Sequence, residues 1–85
     1  MDKSIHNIEY KKIIAMLKAK RIAKGVTQEN LALALGVNQA AISKIESCER
    51  RIDIIELRDI CNSMDISFID FIVEAENTIK YEIIK

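Results

Sequence analysis

Apolar residues in one stretch of the first half of the chain recur with the spacing of a helix face. Leu31, Ala32 and Leu35 form the first such group, and Thr27 stands shortly before it. Threonine often caps helix N-termini, because its hydroxyl can accept a hydrogen bond from an otherwise unpaired backbone N–H. The pattern predicts a short helix from about residue 28 to residue 35.

A second apolar group follows after a glycine. Gly36 can take the left-handed conformation that ends a helix, and Asn38 can cap the next helix, predicted from about residue 39 to residue 47. Its apolar face consists of Ala41, Ile42 and Ile45. Two helices of roughly ten residues joined by about three residues around a glycine form a helix-turn-helix, whose second helix lies in the major groove of DNA.

Three further helices are predicted outside this motif. The first runs from about residue 8 to residue 24, with an apolar inner face and lysines on its outer face. Asp53 and Glu56 have the spacing of a capping box that opens a fourth helix, and Ser67 and Asp70 have the same spacing before a fifth. Because the chain has no Pro and only two Gly, the expected fold class is all-α.

The fifth helix is predicted to run from about residue 68 to residue 85, which is longer than a small domain needs. Its first half is expected to close the core with Phe68, Phe71, Ile72 and Ala75. The later apolar residues have nothing left to pack on within one domain, and exposed apolar patches usually mark interfaces. Ile72, Ile79 and Ile83 are therefore predicted to form the seam of a homodimer.

The totals indicate one small domain over residues 1–85, which can bury only part of its surface. No apolar run approaches the roughly 18 residues of a membrane span, and the first ten residues lack an apolar signal core. Cys48 and Cys61 are therefore expected to be reduced thiols of a cytoplasmic protein, with a disulfide as the minor alternative.

The net charge is zero, but the charges are unevenly distributed. Residues 1–51 carry ten Lys and Arg against five Asp and Glu, a net of +5, and residues 52–85 carry three against eight, a net of −5. Such asymmetry favours a basic part that faces DNA and an acidic part that faces elsewhere. Because the basic half contains the helix-turn-helix, attraction of phosphate is favoured over a merely solvated surface.

The motif also resembles a known family. The matching segments are RxxxGVTQENLA from Arg21, GVNQ from Gly36 and ISKIE from Ile42. These residues resemble the phage repressor and Cro family, to which regulators of the xenobiotic-response-element type belong. The resemblance covers about residues 14–72 without gaps. It implies a five-helix, lambda-repressor-like DNA-binding domain, here with an extended C-terminal helix.

The outer side of the predicted recognition helix carries the candidate base-reading residues. They are Gln39, Ala40, Ser43 and Lys44. Glutamine can pair bidentately with adenine and lysine can donate to guanine, so Gln39 and Lys44 are the strongest candidates. Ala40 and Ser43 are small enough to approach a thymine methyl group or a phosphate. The alternative is an ordinary solvated polar face, which the motif disfavours.

Four residues are predicted to hold the DNA backbone. The resemblance places Gln28 at the family position that contacts a phosphate, and the backbone N–H groups of that helix N-terminus would add to the grip. Asn38 stands at the start of the recognition helix. Arg50 and Arg51 follow its end and are expected to meet phosphates.

Two charges fall on apolar helix faces. Arg21 comes four residues after Leu17, and Glu46 comes four residues after Ile42. An isolated buried charge would cost several kcal/mol, so each should be paired. The resembled family joins the two matching positions by a salt bridge, which implies an Arg21–Glu46 pair that fixes the third helix against the first. The alternative is that both charges reach water at the edge of the core.

Cys48 stands where the resembled family commonly has glycine. A turn with positive φ would strain a cysteine by about 1 kcal/mol, so the turn is expected to differ here. A redox-sensing Cys48, with Arg50 and Arg51 close by, is an alternative. His6 is expected to be an ordinary exposed residue, because no metal-ligand partner stands at a suitable spacing.

These observations predict a homodimeric, sequence-specific transcription regulator that binds a palindromic operator in double-stranded DNA, of the phage-repressor or restriction–modification controller type. The alternative is an antitoxin-type interaction protein whose acidic C-terminal half covers a protein partner. An enzyme has little support, since the chain has one His and no catalytic triad, metal-ligand spacing or Gly-rich phosphate loop. No cofactor, metal or membrane partner is predicted.

Overall fold

A computed structural model of the protein describes the backbone of residues 7–84 and the side chains of residues 7–80. Within that part the chain forms helices and no strand, which confirms the all-α class. The helices are α1 (Ile8–Ala23), α2 (Gln28–Leu35), α3 (Gln39–Glu46), α4 (Ile54–Ser63) and α5 (Phe68–Ile84). The predicted boundaries agree closely with these, and the prediction for His6 lies outside the described residues. None of the described helices is long and apolar enough to cross a membrane.

Side-chain caps begin the two helices of the helix-turn-helix. The Thr27 hydroxyl accepts a hydrogen bond from the Asn30 N–H at 3.0 Å, and Asn38 Oδ1 accepts one from the Ala41 N–H at 2.9 Å. Gly36, with φ of 71°, ends α2 in the left-handed conformation. The turn between α2 and α3 is therefore fixed locally, by the glycine that ends α2 and the asparagine cap that begins α3.

The last two helices begin with the caps that the sequence predicted. Asp53 and Glu56 form a complete capping box, because each side chain accepts a hydrogen bond from the other residue's backbone N–H, at 2.7 and 3.0 Å. The Ser67 hydroxyl accepts one from the Asp70 N–H at 3.1 Å. These caps fix where α4 and α5 start and hence how they approach the rest of the fold.

The hydrophobic core is built by all five helices. Its buried apolar residues are Ile14, Leu17, Leu31, Ala32, Ile42, Ile45, Leu57, Ile60, Cys61, Met64, Phe71 and Ala75. Cys61 is fully buried, and this burial raises the pKa of its thiol, as expected for a small core residue. α2 packs against α3 and α4, and α3 also packs against α1. One face of α3 is therefore buried, and its opposite face is exposed.

Ile72 does not close the core as predicted. It is 38% exposed, whereas Phe71 and Ala75 are 1% and 4% exposed. Residues four apart share a helix face, so the turn of α5 that buries Phe71 and Ala75 directs Ile72 partly outward. Phe68 is half-buried against the core.

The turn after α3 keeps the left-handed conformation, and the prediction that it would differ is wrong. Cys48 has φ of 63°. The Cys48 N–H donates to the Ile45 carbonyl at 3.1 Å, and the Glu49 N–H donates to the Lys44 carbonyl at 2.9 Å. This pair of backbone hydrogen bonds needs a left-handed residue at the position of Cys48, whatever its side chain.

Candidate nucleic-acid interface

The outer face of α3 is formed by exposed side chains of the kind that can meet DNA. They are Gln39, Ala40, Ser43 and Lys44. The opposite face is anchored in the core, where Ile42 is 1% exposed and Ile45 is 6% exposed. The structure therefore places all the candidate base-reading residues on the accessible side of one helix.

A buried ion pair joins α3 to α1. Arg21 Nε donates to Glu46 Oε2 at 2.6 Å, and Arg21 Nη2 donates to Glu46 Oε1 at 3.0 Å. The remaining nitrogen of the guanidinium, Nη1, donates to the Val26 carbonyl at 2.8 Å. The side chains of Arg21 and Glu46 are only 10% and 6% exposed. The two charges are thus paired inside the protein and do not reach water at the edge of the core.

The surroundings of Glu46 favour its ionised form. Burial alone would raise the pKa of this carboxyl group, but hydrogen bonds from Arg21 and Gln28, helped by the charges of Arg21 and Lys18, hold the pKa below its ordinary value. Glu46 is therefore a carboxylate at neutral pH. Because a carboxylate has acceptors and no donor, each hydrogen-bonding partner must present a donor to it.

Gln28 connects this ion pair to the outer face of α3. Its Nε2 donates to Glu46 Oε1 at 3.0 Å, and its Oε1 accepts a hydrogen bond from Gln39 Nε2 at 3.1 Å. Gln28 is half-buried and Gln39 is exposed, so the hydrogen bonds run from the interior to the surface. Sequence reasoning missed this connection, because Gln28 and Glu46 are 18 residues apart and no local spacing links them.

The hydrogen bond between Gln28 and Gln39 also brings two helix N-termini together. Gln28 is the first residue of α2 and Gln39 is the first residue of α3. Helix N-termini carry unpaired N–H groups and a partial positive charge, which suit a phosphate. Gln28 and Asn38, both predicted to hold the DNA backbone, therefore lie at two neighbouring helix N-termini, each with a partial positive charge.

Arg50 and Arg51 are exposed but interact with neighbouring side chains. Arg50 Nη2 donates to Glu56 Oε2 at 2.5 Å, and this hydrogen bond, together with the charge of Glu56, raises the pKa of the guanidinium. The Arg51 guanidinium lies 4.9 Å from the centroid of the Tyr10 ring. Exposed ion pairs contribute little to stability, so Arg50 can exchange Glu56 for a phosphate without a large cost.

Tyr10 ties the segment between α3 and α4 to α1. Its hydroxyl accepts a hydrogen bond from the Ile52 N–H at 3.2 Å, across 42 residues of sequence. Partial burial raises the pKa of the phenol, so the group stays protonated at neutral pH. The sequence carries no signal for this contact, because no local spacing relates Tyr10 to Ile52. The contact holds the segment that carries Arg50 and Arg51 against α1.

Comparisons with known proteins agree with this geometry. A helix-turn-helix family model matches residues 17–71. The chain is also similar to a solved structure, the XRE-family like protein from Pseudomonas syringae pv. tomato str. DC3000, with 36% sequence identity and a TM-score of 0.82. That match covers 87% of this chain and 90% of the other. The chain belongs to the XRE family of helix-turn-helix proteins. A comparison with curated proteins gives no match.

Membership of the XRE family confirms the resemblance read from the sequence. The matched residues include both helices of the motif, the ion pair and the hydrogen bonds of Gln28. The fold is thus that of a DNA-binding transcription regulator.

The XRE-family chain also exposes apolar residues on α5. Ile69, Ile72 and Val73 are 72%, 38% and 54% exposed, and their spacing puts them on one side of the helix. Ile79, predicted to lie in a dimer seam, is half-buried and so already packs partly against its own chain. Ile83 belongs to α5, but its side chain lies outside the described residues. The described apolar surface of α5 therefore centres on Ile72 and its two neighbours.

Proposed function

We propose that this XRE-family chain is a homodimeric transcription regulator that recognises a palindromic operator in double-stranded DNA. The observation that carries the proposal is the exposed face of α3, whose opposite face is locked in the core by Ile42 and Ile45. A helix presented in this way suits the major groove, where its N-terminal residues meet base edges.

Each side chain on that face has a role that follows from its chemistry. Gln39 is proposed to pair with adenine, and Lys44 is proposed to donate to the acceptors of guanine. Ala40 and Ser43 let the helix approach closely, where a methyl group or a hydroxyl can meet a thymine methyl group or a phosphate. These contacts would supply the sequence preference.

The DNA backbone would be held by residues around both ends of α3. Gln28 and Asn38 offer adjacent helix N-termini, and Arg50 and Arg51 offer exposed guanidinium groups after the helix. Phosphate contacts supply affinity that depends on salt but not on sequence. The net positive charge of residues 1–51 supports these phosphate contacts.

Two copies, each acting as one domain, are proposed to associate through α5. The exposed apolar surface around Ile72 supports this seam, which would extend along Ile79 and Ile83. A two-fold axis through such a seam would place two α3 helices in successive major grooves about 34 Å apart, which matches a palindromic site.

A double variant tests the base-reading role directly. Gln39→Ala with Lys44→Ala should bind its enriched operator and a shuffled duplex almost equally, because each lost base contact removes about 1–3 kcal/mol of discrimination. Arg58→Ala with Asn62→Ala on the exposed side of α4 is the matched control, since it removes one cation and one amide elsewhere. Equilibrium titrations at one stated salt concentration provide the comparison. Undiminished discrimination in the α3 variant would refute the assignment of the recognition helix.

A further inference from the structure

We propose that Glu46 determines which base Gln39 accepts. This inference rests on the proposed DNA-binding function and adds a positioning residue that acts on specificity through two other side chains. Its basis is the ordered set of hydrogen bonds that joins Glu46 to Gln28 and Gln28 to Gln39.

Glu46 fixes the direction of the Gln28 amide. A carboxylate can only accept hydrogen bonds, and the Glu46 side chain is 6% exposed, so little water is available to relieve a poor contact. If Gln28 turned its Oε1 toward Glu46, two acceptors would face each other. Gln28 therefore directs its Nε2 inward, at 3.0 Å from Glu46 Oε1, and its Oε1 outward.

The direction of Gln28 in turn fixes the direction of Gln39. The outward Oε1 of Gln28 is an acceptor, so Gln39 must give it an N–H, which it does at 3.1 Å. An amide nitrogen has two N–H groups. Gln39 is left with one N–H and its Oε1, which are one donor and one acceptor side by side.

That donor and acceptor pair distinguishes adenine from guanine. In the major groove adenine presents the N7 acceptor beside the N6 donor, which complements one N–H and one oxygen. Guanine presents two acceptors, N7 and O6, so the Gln39 oxygen would meet another oxygen. A reversed set of amides would turn both N–H groups of Gln39 outward and would suit guanine instead. The ionised Glu46 blocks that reversal.

Two variants interrupt this control at different points. Glu46→Gln puts an amide in place of the carboxylate, and an amide can offer either a donor or an acceptor to Gln28. Gln28→Met keeps the length of the side chain, removes its directional hydrogen bonds and leaves the Arg21–Glu46 pair intact. At the base pair read by Gln39, the preference for adenine over guanine should fall from about tenfold or more to about threefold or less in both variants.

The base pair in question is the one whose preference disappears in Gln39→Ala. The readout is a ratio of affinities, measured on duplexes that differ only at that base pair. Partial loss of fold would lower binding to both duplexes by the same factor and leave the ratio unchanged. Glu56→Gln is the matched control, because it alters another ion pair, with Arg50, that has no hydrogen bond to Gln28 or Gln39. Its ratio should equal that of the wild type.

Each outcome decides a separate point. A wild-type preference for adenine that both variants lose supports the proposal, and a preference that persists in Glu46→Gln overturns it. A preference for adenine that persists in Gln28→Met overturns the proposal while the DNA-binding function stands, and so does a wild-type preference for guanine at that base pair. If the wild type prefers no sequence at all, the proposed function itself fails.

Discussion

Arg21 and Glu46 stand 25 residues apart in the sequence and meet in the interior through hydrogen bonds of 2.6 and 3.0 Å. The pair joins α1 to the end of α3. Because both charges are almost fully removed from water, each depends on the other for its charge compensation. The ion pair therefore helps to fix the position of α3 against α1.

Loss of Arg21 should therefore cost far more stability than loss of its neighbour. Arg21→Met leaves the Glu46 carboxylate buried without a counter-ion, and we expect the free energy of unfolding to fall by about 3–5 kcal/mol. The matched control is Lys20→Met, which removes an exposed salt bridge to Glu74 and should cost less than about 1 kcal/mol. Urea denaturation followed by circular dichroism measures both values. Equal losses in the two variants would show that the buried pair contributes no more to stability than the exposed one.

The contribution of Glu46 should depend on pH in the acid range. Its pKa in the folded protein lies below the ordinary value of 4.5, so the unfolded chain takes up a proton at a higher pH than the folded chain does. The stabilisation is fully present above the ordinary pKa and is lost as the pH falls through the lower, folded value. The gap in unfolding free energy between the wild type and Glu46→Gln should accordingly be smaller near pH 3 than near pH 7. A gap that stays constant between these pH values would contradict the assigned direction.

The left-handed conformation of Cys48 offers a stabilising substitution. With φ of 63°, this residue holds a conformation that costs a side chain with a Cβ atom about 1 kcal/mol. Glycine removes that strain but gains freedom in the unfolded chain, so Cys48→Gly should stabilise the fold by up to about 1 kcal/mol. Cys48→Ala keeps the Cβ atom and should give no such gain. If alanine stabilises as much as glycine does, the thiol and not the backbone is the cause.

Oligomeric state tests the role assigned to α5. Ile72→Glu places a charge in the middle of the exposed apolar surface and should convert the dimer to monomers in sedimentation experiments. Leu33→Glu is a suitable control, because Leu33 is 79% exposed on α2, a helix that does not contact α5, and its substitution should leave the proposed dimer intact. A dimer that persists in Ile72→Glu would show that the interface lies elsewhere.

Much of this fold could be predicted because its helix ends are decided by local chemistry. Thr27, Asn38 and Asp53 each cap a helix within three residues of their own position, so the sequence alone contains both partners of each contact. The Arg21–Glu46 contact was expected for another reason, since two charges on apolar faces need partners and the family resemblance indicated which two.

The parts that could not be predicted depend on packing across the chain. The first half of α5 has apolar residues on most of its sides. The helical period therefore could not show that Ile72, unlike Phe71, faces partly outward. The hydrogen bond from Gln28 to Glu46 and the one from Ile52 to Tyr10 join residues with no sequence spacing to relate them. The sequence therefore predicted the exposed face of α3 but not the hydrogen bonds that join Gln39 to Gln28 and Gln28 to Glu46.

Selection of binding sites from a pool of random duplexes, with the purified protein at a stated salt concentration, tests the central claim most directly. Dimeric recognition through α3 predicts that the pool converges on a palindrome whose half-sites lie about one helical turn apart. A folded protein that enriches no sequence would contradict DNA recognition by α3. The acidic second half of the chain, with its net charge of −5, would then direct attention to a protein partner.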